Sequence, residues 1–324
     1  MPLLEKLRSL AEKNIEPIPP TWALVHYLII EDSSPGHGNL GAIVAASGET
    51  SIFSYARDSI EPMYYSTIQA NQRLKTFTGY SAKGLRTTDE EEGFSFLREG
   101  IDAGKGVFVA GPEMGLCYGY EDPGNAEGRK LYGISNWGPA FNGTYSWAKF
   151  SDHVKAFGDA EGFGYLHFES ELVSTDSILR MLAMTVVDWQ EKHVATGFGM
   201  KQDHYGLAAF KQFIQDVRNP ETRAQVDEAY INCHAIAFQV GGRYWLGQYL
   251  KQLSEQFGGD MRERLVKIGD LYMKVHTELD RFQEFNITEG KNEGEVQGAV
   301  EWLETAYHAD EQILEESISI RDIL

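Results

Sequence analysis

The spacing of apolar residues changes near residue 172, and this change limits the possible folds more than any other feature of the chain. Before it, short runs rich in aromatic and β-branched residues alternate with glycine-rich turns, a pattern typical of strands. After it, apolar residues recur at helical spacing over long segments. The sequence therefore predicts an α+β domain with a mainly antiparallel sheet over residues 1–172 and an all-helical domain over residues 173–324.

Individual elements follow from the same patterns. Strands are predicted at residues 105–111, 115–120, 130–135 and 163–169, with a hairpin joining the second of these to the third. Helices are predicted at about residues 67–80, 90–104, 174–193, 204–217 and 293–318, and on both sides of Gly258-Gly259. Only a short polar turn separates the last two helices, so we expect them to form an antiparallel pair.

The charge balance limits the classes of partner. The 324 residues include 48 acidic and 29 basic side chains, a net charge of −19. Such a field repels phosphate backbones and anionic lipid, which argues against nucleic-acid and membrane-surface partners. No run of about 18 apolar residues occurs, and the charged amphipathic start does not resemble a secretory signal. The sequence therefore predicts a cytoplasmic protein.

Two cysteines, Cys117 and Cys233, are too few for a disulfide framework or a cysteine-type zinc site. Cys233 falls in a helical apolar pattern and is interpreted as a core residue. Cys117 lies in a predicted strand, where the alternation of side chains does not say which face it occupies. A nucleophilic thiol needs a helix N-terminus or a histidine beside it, and the sequence between His37 and His153 contains no histidine. A core role is therefore favoured over chemistry.

One histidine–carboxylate group has the spacing of metal ligands. Glu304, His308 and Glu311 recur on one face of the last predicted helix. The segment from residue 286 to residue 324 holds ten acidic and two basic residues, which favours a solvated acidic face instead. We therefore predict neither a metal nor a cofactor.

The segment from residue 113 to residue 141, EMGLCYGYEDPGNAEGRKLYGISNWGPAF, resembles the second half of a papain-like cysteine peptidase domain. In that family a strand that begins with the catalytic histidine runs into Gly-Tyr. The next strand ends in an asparagine beside a Trp-Gly pair. Gly119-Tyr120 and Asn136-Trp137-Gly138 occur here in the same order.

The wider layout is similar to the butirosin-biosynthesis acyltransferase (BtrH-type) family. Five stretches follow in that family's order: PTWALVHYLII, AASGETSIFSY, LKTFTGY, LREGIDAGKGVFVAG and YGYED. The helical tail is also similar, so the resemblance covers most of residues 20–285. It implies a papain-like fold, with an acyl or amide group as the substrate of an active member.

The residues that the resemblance assigns to catalysis differ from those of the family. The nucleophile belongs near Pro20 to Trp22, where Thr21 is the nearest hydroxyl, and Glu113 stands at the position of the histidine. Asn136 matches the family's asparagine. A carboxylate with an ordinary pKa near 4 is a poor base for a hydroxyl, so the cysteine–histidine pair has no working replacement.

The same cleft supplies the candidate binding residues. They are aromatic, imidazole or thiol side chains that lie on the motifs quoted above or in the glycine-rich loop that follows the first of them: Trp22, His26, His37, Cys117, Tyr120 and Trp137.

Two functions from different classes follow. The favoured one is a catalytically degenerate papain-like protein that binds a small molecule or a partner. The alternative is an acyltransferase or amide hydrolase with a modified active site. It requires one pocket to bring together Glu113, Tyr120, Asn136 and the start of the first helix at Thr21, Trp22 and His26.

The last predicted helix carries a broad apolar stripe that must be buried somewhere. Its members are Val296, Ala299, Val300, Leu303, Ala306, Tyr307, Ile313 and Leu314. Either the helical domain itself or a second copy of the chain can cover it. Because symmetric dimers are common, we expect a homodimer whose interface includes the C-terminal helices.

Overall fold

A computed structural model describes a six-stranded sheet, most of the helical region and a few single residues outside them, such as Phe53 and Tyr55. The described residues are Phe53, Tyr55, 81–87, 89–104, 107–110, 115–135, 141–146, 163–169, Ala183, Val186, Val187, 205–226, 235–285, Ile287 and 290–324. The chain divides into two compact units. Unit 1 consists of Met1–Leu40 and Thr78–Leu172, and unit 2 consists of Gly41–Phe77 and Val173–Leu324.

Unit 1 contains a six-stranded sheet. Its strands are β1 (Ser81–Thr87), β2 (Val107–Ala110), β3 (Gly115–Glu121), β4 (Lys130–Ser135), β5 (Phe141–Ser146) and β6 (Phe163–Glu169). Their order across the sheet is β1-β6-β2-β3-β4-β5, and every neighbouring pair is antiparallel. The antiparallel sheet and the β3–β4 hairpin that the sequence predicts are therefore confirmed, whereas β5 was not predicted.

Helix α1 (Glu90–Asp102) packs on this sheet. Its first turn is fixed by Asp89, whose carboxylate accepts hydrogen bonds from the backbone N–H groups of Glu91 and Glu92. Acidic residues fill that turn, where the helix dipole favours them. Gly104 ends the helical segment with a positive φ of 75°. The buried face of α1 meets the sheet in one core cluster: Phe94, Phe96, Leu97, Ile101, Val107, Cys117 and Leu131.

Unit 2 contains five described helices. They are α2 (Gly206–Arg218), α3 (Pro220–Val226), α4 (Ala235–Ser254), α5 (Gly259–Phe285) and α6 (Glu293–Ile323). The helices predicted at about 204–217 and 293–318 and around Gly258-Gly259 are confirmed, with α6 continuing to Ile323. Within the described part of the chain, no helix has the length and apolarity needed to cross a membrane.

Helices α5 and α6 form the expected antiparallel pair. Near their connection the ring of Phe285 contacts that of Trp302, with centroids 5.7 Å apart. At the far end Arg264 lies 2.7 Å from the carboxylate of Glu316. The connection ends at Asn292, which forms a capping box with Glu295 and so starts α6 at a defined residue.

Two glycines set the distance between α4 and α5. A methyl carbon on Gly269 would lie 2.9 Å from the carbonyl oxygen of Gly247 and 2.8 Å from Cγ of Lys251. A methyl carbon on Gly247 would lie 2.9 Å from the carbonyl oxygen of Gly269. Because both contacts involve backbone, only glycine allows the two helices to approach this closely.

A segment from the first half of the sequence packs on α2. The ring of Phe53 stacks on that of Phe210 with centroids 3.9 Å apart, and the backbone carbonyl of Phe53 accepts a hydrogen bond from Gly206. Tyr55 donates a 2.8 Å hydrogen bond to Asp216. The helical unit therefore includes residues that precede position 172. A single domain boundary near that position cannot describe such a unit.

The apolar stripe of α6 is covered within unit 2. Val296, Ala299, Val300, Leu303, Ala306 and Ile313 are all buried, and Tyr307 contacts Phe210 of α2. The homodimer stays a prediction, but the apolar stripe that suggested it is covered by other helices of the same chain.

Candidate functional site

Two predicted site residues, Cys117 and Tyr120, are described, and both lie on β3. The remaining ones lie outside the described residues: Thr21, Trp22, His26, His37, Glu113, Asn136 and Trp137. The other cysteine, Cys233, and the helices predicted at 67–80 and over most of 174–193 also lie outside them. The site is therefore built from the β3–β4 hairpin and from the polar groups around it.

A β-bulge in β3 decides which side chains share a face. Cys117 pairs with Gly133 and Gly119 pairs with Tyr132, so Tyr118 is the extra residue on β3. Without the bulge, Cys117 and Tyr120 would lie on opposite faces. With it, Cys117 and Tyr120 both lie on the face of Leu131, against α1.

Cys117 is a core residue. Its side chain is fully buried in the cluster between α1 and the sheet. Burial raises the pKa of the Cys117 thiol to about 12, because the thiolate would lose its hydration there. A thiol with this pKa is almost entirely protonated near neutral pH and is inert as a nucleophile.

We expect alkylation of native Cys117 to be at least about a hundredfold slower than in the urea-unfolded chain, because the folded thiol is both buried and protonated. Iodoacetamide labelling at pH 8, followed by peptide mass spectrometry, measures this rate. Cys117→Ala identifies the signal of Cys233 alone. Rapid labelling of Cys117 in the folded wild type would contradict its placement in the core.

Tyr120 is held by α1. Its hydroxyl donates a 2.9 Å hydrogen bond to Asp102 at the end of that helix. Its ring meets Phe94 edge to face, with centroids 5.6 Å apart. Burial and the hydrogen bond to the Asp102 carboxylate both raise the pKa of the Tyr120 hydroxyl. The hydroxyl of Tyr120 thus has a structural role, since its hydrogen bond links β3 to α1.

The connection between β3 and β4 is fixed by Arg129. The guanidinium donates two hydrogen bonds to Glu91, of 2.7 and 2.8 Å, and a 3.3 Å hydrogen bond to Asp122. It also lies over the ring of Phe94, 4.1 Å from the centroid. These hydrogen bonds lower the pKa of Glu91, and the Gly124 N–H and Arg129 lower that of Asp122. The GYEDPG turn is therefore anchored to α1.

Sequence reasoning did not find Arg129. Its partners Glu91 and Asp122 are 38 and seven positions away, and no local pattern links the three residues.

A second polar cluster lies inside the helical unit, where α4, α5 and α6 meet. Arg243 of α4 and Asp310 of α6 form an ion pair with 2.9 Å between Nη2 and Oδ2, and both side chains are completely buried. The guanidinium carbon lies 5.3 Å from the centroid of the Tyr272 ring of α5. Neither the Asp310 Oδ1 nor the Tyr272 hydroxyl makes a hydrogen bond within the part of the chain that the structure describes.

Two charged residues at apolar positions are the sequence signal for this cluster. Asp310 interrupts the apolar stripe of α6 between Ala306 and Ile313, and Arg243 stands inside the apolar run VGGRYWLG. A charged residue at a core position of an amphipathic helix calls for a buried partner, because an unpaired buried charge is strongly unfavourable.

The residues considered as metal ligands are solvated and paired. Glu304 accepts a 2.6 Å hydrogen bond from Arg218, and Nδ1 of His308 lies 2.7 Å from a carboxylate oxygen of Glu311. The side chain of His308 is 67% exposed, so this pair lies at the surface. Among the described residues, no three histidine, cysteine or carboxylate side chains form a group that holds a metal ion.

No family model and no curated protein matches the chain. The resemblance to papain-like acyltransferases stays a prediction.

Proposed function

We propose that this chain is a catalytically degenerate papain-like protein that binds a small molecule or a partner at one end of the β3–β4 hairpin. The observation that carries the proposal is the register of that hairpin. Gly115, at the start of β3, pairs with Ser135, at the end of β4.

This register supports the location of the site. Glu113 precedes Gly115 by two positions and Asn136 follows Ser135 by one. Paired residues in an antiparallel sheet have Cα atoms about 5 Å apart, so we expect the Glu113 and Asn136 positions to be neighbours. That is the arrangement that the resemblance to the papain-like family requires of its histidine and asparagine positions.

The state of Cys117 supports binding over thiol chemistry. The buried, protonated thiol is on the hairpin but under α1, and Glu113 occupies the position of the general base. A carboxylate and an amide beside aromatic side chains suit the recognition of an amine, amide or hydroxyl group.

A panel of amino acids, primary amides and acyl thioesters tests the proposal by thermal shift. We expect one class to raise the melting temperature by several degrees at saturation, as a ligand that binds only the folded state does. Glu113→Gln and Asn136→Ala should each abolish most of that shift. Glu121→Gln is the matched control, since it removes a carboxylate at the opposite end of the same hairpin.

Two results would count against the proposed function. A shift that survives both Glu113→Gln and Asn136→Ala would place the site elsewhere. Turnover of the bound compound, detected by mass spectrometry and lost in Glu113→Gln, would instead favour an acyltransferase or amide hydrolase.

A further inference from the structure

Asp216 and Asp310 are both buried in the described part of the helical unit, but they differ in how completely their carboxylate oxygens are hydrogen-bonded. Both oxygens of Asp216 accept hydrogen bonds, of 2.8 Å from the Tyr55 hydroxyl and 3.0 Å from the Gln212 amide. Among the described residues, Asp310 accepts one hydrogen bond, on Oδ2 from Arg243, and its buried Oδ1 has no partner. A completely buried carboxylate that leaves one oxygen unsatisfied loses hydration that nothing replaces.

We propose that the carboxyl group of Asp310 is a proton-binding site of the helical unit, with the proton carried on Oδ1. In this form Oδ2 keeps the hydrogen bond from Arg243, and the carboxyl group no longer holds an unsolvated negative charge. The inference is independent of the proposed function, since it concerns a different unit of the chain.

Burial and the charge of Arg243 act on the pKa of Asp310 in opposite directions. Among the described residues, Arg243 faces it from α4 and Tyr272 from α5. Helix α2 also packs on α6, but its charged contact, between Arg218 and Glu304, lies at the surface nearer the start of α6. Burial raises the pKa of Asp310 to about 6, and the attraction of Arg243 opposes this without cancelling it.

Proton binding by Asp310 makes the stability of the fold depend on pH. Asp310 binds its proton with an ordinary pKa of 3.8 in the unfolded chain and about 6 in the folded one. Between these values the folded state holds more protons, so the Asp310 contribution to stability is present at low pH and is lost as pH rises through 6. From pH 7 to pH 5 the folding equilibrium constant should increase about tenfold through this group alone.

Urea unfolding of the full chain at pH 5, 6 and 7 tests the inference, with wild type compared with Asp310→Asn. The amide imitates the protonated carboxyl group in shape and keeps an oxygen for Arg243. We expect the ratio of the wild-type to the variant folding constant to fall about tenfold from pH 5 to pH 7. Glu301→Gln, which removes an exposed carboxylate from the same helix, is the matched control, and its ratio should change far less.

Infrared spectroscopy gives a readout that does not depend on unfolding. The wild type minus Asp310→Asn difference spectrum should contain the carbonyl band of a protonated carboxyl group at pH 5 and lose it by pH 7. Absence of that band at pH 5 would overturn the proposal, and so would a folding-constant ratio that does not change with pH. If Asp310→Asn fails to fold, Arg243→Met decides the question: without the cation that opposes protonation, the Asp310 carboxyl group should keep its band at pH 7, where the wild type has lost it.

Discussion

Replacing Asp310 by leucine is expected to destabilise the helical unit by about 3–5 kcal/mol at pH 7. Leucine offers no acceptor to Arg243, whose guanidinium is completely buried and cannot release its proton. The variant therefore keeps a charge in the core without its carboxylate partner. This loss is a large part of the stability of an ordinary domain, so the helices are expected to unfold at much lower urea concentration.

The reverse substitution is expected to be much milder. In Arg243→Met the remaining group is a carboxyl, which can neutralise itself by binding a proton, so we expect a loss of only about 1–2 kcal/mol. The double variant Arg243→Met/Asp310→Leu should come within about 1 kcal/mol of the wild type, because apolar side chains can replace a buried pair. Urea unfolding followed by circular dichroism measures all three. Equal losses in the two single variants would contradict the asymmetry.

The second large effect is expected at the contact between α4 and α5. In the middle of a helix, alanine is normally more favourable than glycine by about 1 kcal/mol. At Gly269 we expect the opposite, a loss of about 1–3 kcal/mol, because the new methyl group would meet the backbone oxygen of Gly247 and the side chain of Lys251. The two helices would have to move apart.

Gly298 of α6 is the matched control for this substitution. A methyl carbon there meets no atom within 4 Å, so Gly298→Ala is expected to stabilise the protein by about 0.5–1 kcal/mol. Thermal unfolding of the two variants should therefore shift in opposite directions from the wild type. A stabilising Gly269→Ala would mean that α4 and α5 do not approach as closely as described.

Local sequence patterns were sufficient to predict most helices of the helical unit and the β3–β4 hairpin. Asn292 followed by Glu295 marks the start of α6, and the spacing of Leu265, Ile268 and Leu279 marks the buried face of α5. The strand around Cys117 and the strand around Tyr132 pair as expected. Each of these features depends on residues within a few turns or one hairpin of each other, which is the range that sequence patterns report.

Features that depend on distant residues were not predictable. The face of Cys117 depends on the bulge at Tyr118, and period-two alternation contains no signal for an extra residue. The Arg129–Glu91 contact and the pairing of β1 with β6 join parts of the chain that no local pattern connects. The candidate site depends on Glu113, Asn136 and Thr21, which lie outside the described residues, and its convergence stays a prediction.

The contact of Tyr55 with Asp216 spans 161 positions, and this separation has a consequence for how the protein is made. During synthesis Phe53 and Tyr55 leave the ribosome long before the α2 residues against which they pack. Until then these aromatic side chains lack their partners on α2, and a long chain that waits for distant contacts is exposed to aggregation. A fragment that begins at residue 173 would also lack them, and Phe210 and Phe213 of α2 would lose their contacts with these two rings. Both units should therefore be expressed as one uninterrupted chain.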